Sequence, residues 1–376
     1  MTSVIPRHGG APLHTFPPRI RQLALPPGRR ILAVSDVHGS LCYLKGLLEK
    51  AAFSPDDILI LVGDLLEKGP DSLAVLRYII SLSETHTVHF VTGNCDWWYP
   101  FLYQVGSPES NLWYFQHAPN CLLRQMCNEL GIAPGPDMDY LRLRDTAAEA
   151  FPREFDFLRR APEILETPHY TFVHGGLPPG EPANWDAWNC LKYDSFLTCG
   201  RTFEKWVVVG HWPVMLYRDI EDASPLIDLA SRIVSIDGGC VLREEGQLNA
   251  LIIPEDGSEA FSHIAYDRFP LARVKRGQRT RAQRYYIRWG DAAVEVLERG
   301  AEFSRIRHLH TGYEMDVLTS RIRRVRNGTT IVNDSTDYVL PLDAGDLVSV
   351  VTETSRGSFV KRNGVCGWYF GELEYL

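Results

Sequence analysis

The feature that most constrains this chain is a set of short apolar runs, each closed by a polar, glycine-containing turn. The runs are Ile31 to Val34, Ile58 to Val62, Val88 to Val91, Tyr170 to Val173, Trp206 to Val209, Ile233 to Ile236 and Leu248 to Ile253. They are too short for helices and rich in β-branched side chains, so they read as strands. Between the first two, Leu41, Leu44, Leu47, Leu48 and Ala51 recur at helical spacing behind Ser40, a residue able to cap a helix. After the second, Pro70 precedes Leu73, Leu76, Ile79 and Ile80 at the same spacing. Strand, helix, strand, helix, strand is the order of an α/β fold with a mainly parallel or mixed sheet covered by helices.

The 376 residues amount to two or three domains at about 150 residues each. Residues 1–253 hold 21 Lys+Arg against 30 Asp+Glu, and residues 254–376 hold 18 against 17, which places a boundary near 254. Residues 1–28, with six prolines and no apolar periodicity, read as a leader. The main domain is then 29–254, and 97–168 within it lacks comparable strand runs and reads as a helical insertion. Residues 255–326 read as a basic linker or β segment, and 327–376 as a small all-β module with Asn327-Gly328 and Asn363-Gly364 turns. That last stretch resembles a Src-homology-3-like barrel, which implies a protein partner. The segment 268–288 carries eight basic residues and no acid, among them Tyr285 and Tyr286. A solvated face is one reading of it, and a nucleic-acid or acidic-partner surface the other.

No stretch reaches the roughly 18 uninterrupted apolar residues of a membrane helix, and the amino terminus lacks the apolar core of a secretory signal. A cytoplasmic protein with no membrane contact is expected. The eight cysteines form no C-x-x-C pair, so neither a disulfide framework nor a zinc ribbon is indicated.

Chemistry concentrates at the ends of the runs. Ser35-Asp36-Val37-His38-Gly39 follows the first, Gly63-Asp64 to Ser72 the second, and Gly93-Asn94-Cys95-Asp96 the third. His174-Gly175-Gly176 and Gly210-His211 follow later ones. Five strand ends thus bring Asp36, His38, Asp64, Asn94, His174 and His211 toward one rim. Mixed imidazole, carboxylate and amide donors suit first-row cations, and six are too many for one closed tetrahedral zinc but right for two adjacent ions.

These motifs, in this order, resemble the calcineurin-like metallophosphoesterases over about residues 30 to 253. Gly69-Pro70-Asp71-Ser72-Leu73 and Ile236-Asp237-Gly238-Gly239-Cys240 are similar to the phosphoprotein phosphatase branch, which includes bacterial serine/threonine phosphatases and symmetrical diadenosine tetraphosphate hydrolases. The resemblance implies an α+β sandwich of mixed sheets flanked by helices. It also implies two divalent metal ions, manganese foremost and iron, zinc, magnesium, nickel or cobalt as alternatives. Asp36 and His38 match the ligands of the first, Asp64 the bridging carboxylate, and Asn94, His174 and His211 the ligands of the second. Two such ions clamp a phosphate and lower the pKa of a bound water from about 15.7 toward 7.

The chain departs from the branch around the leaving group. Cys95 stands where the family has a proton-donating histidine, Glu67 where an aspartate orients it, and Lys68 where an arginine contacts the phosphate; Lys192 is a second candidate contact. A thiol is a poor donor, and general-acid help is typically worth roughly 10²- to 10⁴-fold. The expectation is a phosphatase or phosphodiesterase favouring good leaving groups over phosphoserine, acting on a phosphorylated small molecule, a nucleotide or a phosphoprotein. Two other readings stay open: a phosphate- or nucleotide-sensing module without turnover, and a nuclease or RNA-processing enzyme guided by 268–288.

Overall fold

The computed structural model describes residues 16–98, 102, 103, 107–133, 135, 138–281 and 284–376. The first half of the expected leader therefore lies outside the described residues. The chain divides into two units. The first comprises 1–212, 225–242 and 248–266, and the second 213–224, 243–247 and 267–376. Among the described residues no helix is long and apolar enough to cross a membrane.

In chain order the first unit runs β1 (Ile20–Gln22), β2 (Ile31–Val34), α1 (Leu41–Lys50), β3 (Ile58–Val62), α2 (Ser72–Leu82) and β4 (Thr87–Val91). Then come α3 (Pro108–His117), α4 (Leu122–Glu129), α5 (Tyr140–Ala150), α6 (Pro152–Arg160), β5 (Ile164–Glu166), β6 (Tyr170–Val173) and α7 (Ala187–Leu191). The unit closes with β7 (Trp206–Val209), β8 (Leu226–Asp228), β9 (Ile233–Ser235), β10 (Leu248–Ile253) and β11 (Ser262–Tyr266). One sheet has the order β11-β10-β2-β3-β4, the other β1-β5-β6-β7-β9-β8. Strands β2, β3 and β4 are mutually parallel, as are β6, β7 and β9, so each trio points its carboxyl ends the same way.

The burial pattern explains the uninterrupted apolar runs. Ile31, Ala33, Ile58 and Ile60 pack with Phe172, Trp206, Val208 and Val234 of the other sheet, forming the core between the two. Their neighbours Leu32, Val34, Leu59 and Leu61 face the opposite way, into a core with Leu44 and Leu47 of α1 and Leu76 and Ile79 of α2. Both faces of these strands are covered, so both alternating positions must be apolar. Helices α3 to α6 add Phe115, Leu122, Met126, Tyr140 and Leu158 to that second core.

Several boundaries differ from the sequence reading. The first unit runs on to Tyr266, because β11 pairs antiparallel with β10. Strand β5 falls inside 97–168, where Ile164↔Val173 pairing extends the sheet. Part of the leader is also a strand, β1, which pairs parallel with β5. Ser40 precedes α1 without a side-chain capping bond, and Asp71 rather than Pro70 is the residue before α2.

In the second unit, Leu271–Val274 joins a five-stranded sheet with Leu347–Thr354, Gly357–Arg362, Val365–Tyr369 and Leu373–Tyr375. Residues of the basic segment and of the terminal fifty therefore share one sheet. Along Leu271–Val274, Ala272 and Val274 are buried while Leu271 and Arg273 are exposed, the period of a one-sided strand. The same unit buries a charged cluster. Arg243 bonds Glu245 at 3.1 Å, contacts Asp334, and donates to the Tyr286 hydroxyl oxygen at 2.7 Å. Glu221 is fully buried, and among the described residues neither of its carboxylate oxygens has a hydrogen-bond partner. Arg243 lies 4.0 Å away but is already engaged, so burial and the nearby Glu245 raise the Glu221 carboxyl well above its ordinary value. Between the unfolded pKa and that raised value the folded chain holds a proton that the unfolded chain has released, so stability falls as pH rises. Glu221→Gln should flatten this decline, which urea midpoints at about pH 5 and about pH 8 will measure.

Candidate functional site

The rim where the two parallel trios end is built from chain segments that hydrogen-bond across it. Asp36 N–H donates to Gly63 O at 3.0 Å, His38 N–H to Asp64 O at 2.9 Å, and Gly210 N–H to His174 O at 2.9 Å. His211 N–H donates to Asp36 Oδ2 at 3.0 Å. A Cβ at Gly93 would collide with Asp64, and one at Gly210 with the Asp36 carboxylate, so these two turns need glycine for the approach itself. Asp36, His38, Asp64, Glu67, Lys68 and His211 all adopt positive φ, between 47° and 69°. Non-glycine residues pay about 1 kcal/mol or more for that conformation, a strain that concentrates at functional sites.

The structure brings Asp36, His38, Asp64, His174 and His211 together, with Asn94 beside Cys95. His38 Nε2 lies 3.7 Å from Asp36 Oδ1 and 3.8 Å from Asp64 Oδ2, and His174 Nε2 lies 3.2 Å from Asp64 Oδ1. Each imidazole has its other nitrogen anchored. His174 Nδ1 donates to Val62 O at 2.9 Å, His38 Nδ1 lies 3.4 Å from Leu66 O, and His211 Nε2 pairs with Asp194 Oδ1 at 2.8 Å. Anchoring of this kind sets the tautomer and aims the remaining lone pair. Asp36 Oδ1, His38 Nε2 and Asn94 Oδ1 are buried and, among the described residues, have no hydrogen-bond partner, while His174 Nε2 pairs with Asp64 Oδ1.

Acceptor atoms crowded together without donors cost free energy unless positive charge lies among them. Donor atoms of Asp64, His174 and His211 all lie within 4.8 Å of one another, and so do those of His38, Asp64 and Cys95. Asp64 belongs to both sets. The residues present therefore fit divalent cations, and an ion among them would give each orphaned atom its partner. Without a metal, the buried carboxylates and imidazoles polarise one another. Burial alone would lower His174, but the Asp64 and Asp36 carboxylates lift it to about 10, whereas burial pushes His38 down to about 4. Burial and the Asp237 carboxylate raise Asp36 well above its ordinary range; burial opposes ionisation of Asp64 too, but His174 and His38 hold it well below.

The residues expected around the leaving group are placed differently from one another. The Glu67 carboxylate accepts from Tyr114 Oη at 2.6 Å, Leu122 N at 2.9 Å and Trp98 Nε1 at 3.2 Å, so it ties α3 and α4 to the rim. Cys95 N–H donates to Asp64 Oδ1 at 2.8 Å, and Asn94 Nδ2 donates to Cys95 Sγ at 3.3 Å. Glu67, Lys68, Asn94, Cys95 and Lys192 all line one cleft, whose other walls include Trp97, Trp98, Tyr114, Phe115, Tyr140 and Trp188. Lys192 Nζ also lies 3.8 Å from Asp194.

Three supporting carboxylates escaped the sequence reading. Asp194 orients His211, and Asp237, fully buried, accepts from Gly239 N at 2.8 Å close enough to Asp36 to raise it. Asp96 accepts Leu66 N at 3.0 Å and both Leu65 N and Gly93 N at 3.1 Å, clamping the loops that carry Asp64 and Asn94. Burial and Asp64 raise it to about 7. Its position directly after Cys95 was the one available signal. Asp96→Ala strands three buried N–H groups and should cost about 3 kcal/mol or more, read as a lower denaturation midpoint with unchanged slope.

A model of the calcineurin-like phosphoesterase family matches residues 29–225, just over half of the chain. A symmetrical bis(5'-nucleosyl)-tetraphosphatase of Pectobacterium atrosepticum is 31% identical over 186 residues, 49% of this chain and 52% of that protein. The like-named protein of Edwardsiella ictaluri is 31% identical over 216 residues, 52% of this chain and 72% of its own. The chain thus spans about half the length of the Pectobacterium protein. The crystal structure of a metallophosphoesterase from Sphaerobacter thermophilus is 17% identical with a TM-score of 0.36, covering 63% of this chain and 88% of that one.

Proposed function

Because the chain belongs to the calcineurin-like phosphoesterase family, we propose that it hydrolyses phosphate esters or phosphoanhydrides with good leaving groups, at a site holding a pair of divalent cations. The observation that carries this reading is the cluster of buried, partnerless donor atoms around a carboxylate common to two donor sets. Asp36, His38 and Asp64 would hold one cation, and Asp64, Asn94, His174 and His211 the other. When bound, the cations supply Lewis acidity and bring the pKa of water toward neutrality.

The chain's own residues do the rest. Val62, Leu66 and Asp194 each contact one nitrogen of the three imidazoles and so fix their orientation. Lys68 and Lys192 place positive charge on the cleft wall, where it stabilises phosphoryl oxygens as charge redistributes. The aromatic wall offers a nucleobase or aryl group an apolar surface and keeps bulk water from it. Glu67, expected beside the leaving group, is held by α3 and α4 and is assigned a positioning role. The name of the two relatives makes dinucleoside polyphosphates one class to assay.

The test is a screen of aryl monoesters, diesters and dinucleoside polyphosphates, with chelated protein as control. Turnover that disappears on chelation and returns with metal supports the reading. Metal binding without turnover of any class would overturn it in favour of a sensing module.

A further inference from the structure

We propose that Cys95 is a sulfur ligand of the cation held by His38 and Asp64, and that this sulfur shifts the position from manganese and magnesium toward zinc, cobalt and ferrous iron. The inference rests on the two-cation reading above and adds a donor to it. Four observations carry it. The Cys95 sulfur, a His38 ring nitrogen and an Asp64 carboxylate oxygen all lie within 4.8 Å of one another. The Cys95 N–H bond to Asp64 Oδ1 at 2.8 Å fixes the residue beside the shared carboxylate. Among the described residues His38 Nε2 is buried without a hydrogen-bond partner, which leaves it available to a cation. The amide of Asn94 donates to the sulfur at 3.3 Å, the kind of outer contact that steadies a coordinating thiolate. Among the described residues, no other cysteine enters a donor triad.

Sulfur changes what the position prefers. Nitrogen and carboxylate oxygen alone accept manganese or magnesium readily, whereas a thiolate favours zinc and other softer cations. On coordination the S–H proton passes to solvent and a sulfur–metal bond takes its place, with no change of oxidation state.

The experiment loads the full chain anaerobically with cobalt(II) and records metal content beside the near-ultraviolet spectrum, for wild type and Cys95→Ser. The expected result is a sulfur-to-cobalt charge-transfer band in wild type that Cys95→Ser lacks while still binding cobalt. Zinc preference over manganese should fall at least about tenfold in the variant. In case Cys95→Ser folds poorly, X-ray absorption of cobalt-loaded wild type should show a sulfur scatterer in the coordination sphere. A pair of cobalt ions bound without the band, or without that sulfur scatterer, overturns sulfur ligation and leaves the two-cation reading standing. Failure of wild type to bind cobalt at all overturns both.

Discussion

Asp64→Asn is expected to lower turnover of every substrate by at least about 10³-fold and to lower bound metal in the same preparation. Asp64 is the one residue shared by both donor sets, with Oδ1 3.2 Å from His174 Nε2 and Oδ2 3.8 Å from His38 Nε2. The amide keeps one acceptor oxygen but replaces the other with a donor and removes the negative charge that would bridge two cations. Shape is nearly conserved, so circular dichroism and the melting curve should stay close to wild type. That separates a lost site from a lost fold. A variant that keeps activity within tenfold while its metal content drops would place the chemistry elsewhere.

The second large effect concerns the leaving group. Nitrophenyl phosphates and phosphoanhydrides should exceed phosphoserine peptides by roughly 10²- to 10⁴-fold in kcat/KM, the usual worth of a general acid. The thiol and the phenol nearest the site, Cys95 and Tyr114, are poorly placed or poorly acidic in the metal-free chain. Burial and Asp64 push the Cys95 thiol well above its ordinary value, and burial and Glu67 push the Tyr114 phenol up as well. The Tyr114 hydroxyl is turned toward Glu67 at 2.6 Å, and Glu67 is occupied by Leu122 and Trp98 besides. Rate plotted against leaving-group pKa should therefore fall steeply. Cys95→His should flatten that plot by supplying an imidazole. Equal rates on phosphoserine and nitrophenyl phosphate in the unaltered chain would show that some other group protonates the leaving oxygen.

Much of the site was legible because its donors follow strands directly. Asp36 and His38 after β2, Asp64 after β3, Asn94 after β4, His174 after β6 and His211 after β7 are local patterns, and parallel strands carry their carboxyl ends to one side. The supporting carboxylates were not legible in the same way. Asp194 has no local relation to His211, and the place of Asp96 in the Gly93-Asn94-Cys95-Asp96 motif marks it without revealing that its carboxylate clamps Leu65, Leu66 and Gly93. Glu67 read as part of the leaving-group apparatus because its neighbours in sequence are, while its partners come from α3, α4 and Trp98. The pairing of Leu271–Val274 with Leu347–Thr354 and Leu373–Tyr375 likewise joins segments that composition had separated.

Taken alone, the amino-acid sequence determined which chemical groups meet at the rim, since donor type and its place after a strand are properties of a few consecutive residues. Folding decided which nitrogen of each imidazole is left free, where Glu67 spends its carboxylate, and that the Cys95 sulfur stands beside Asp64. The reason is that a side chain is aimed by hydrogen bonds to distant partners, 112 residues away for His174 and Val62 and 31 for Cys95 and Asp64. Val62 and His174 become neighbours only when the two sheets pack, and Asp64 and Cys95 when β3 pairs with β4.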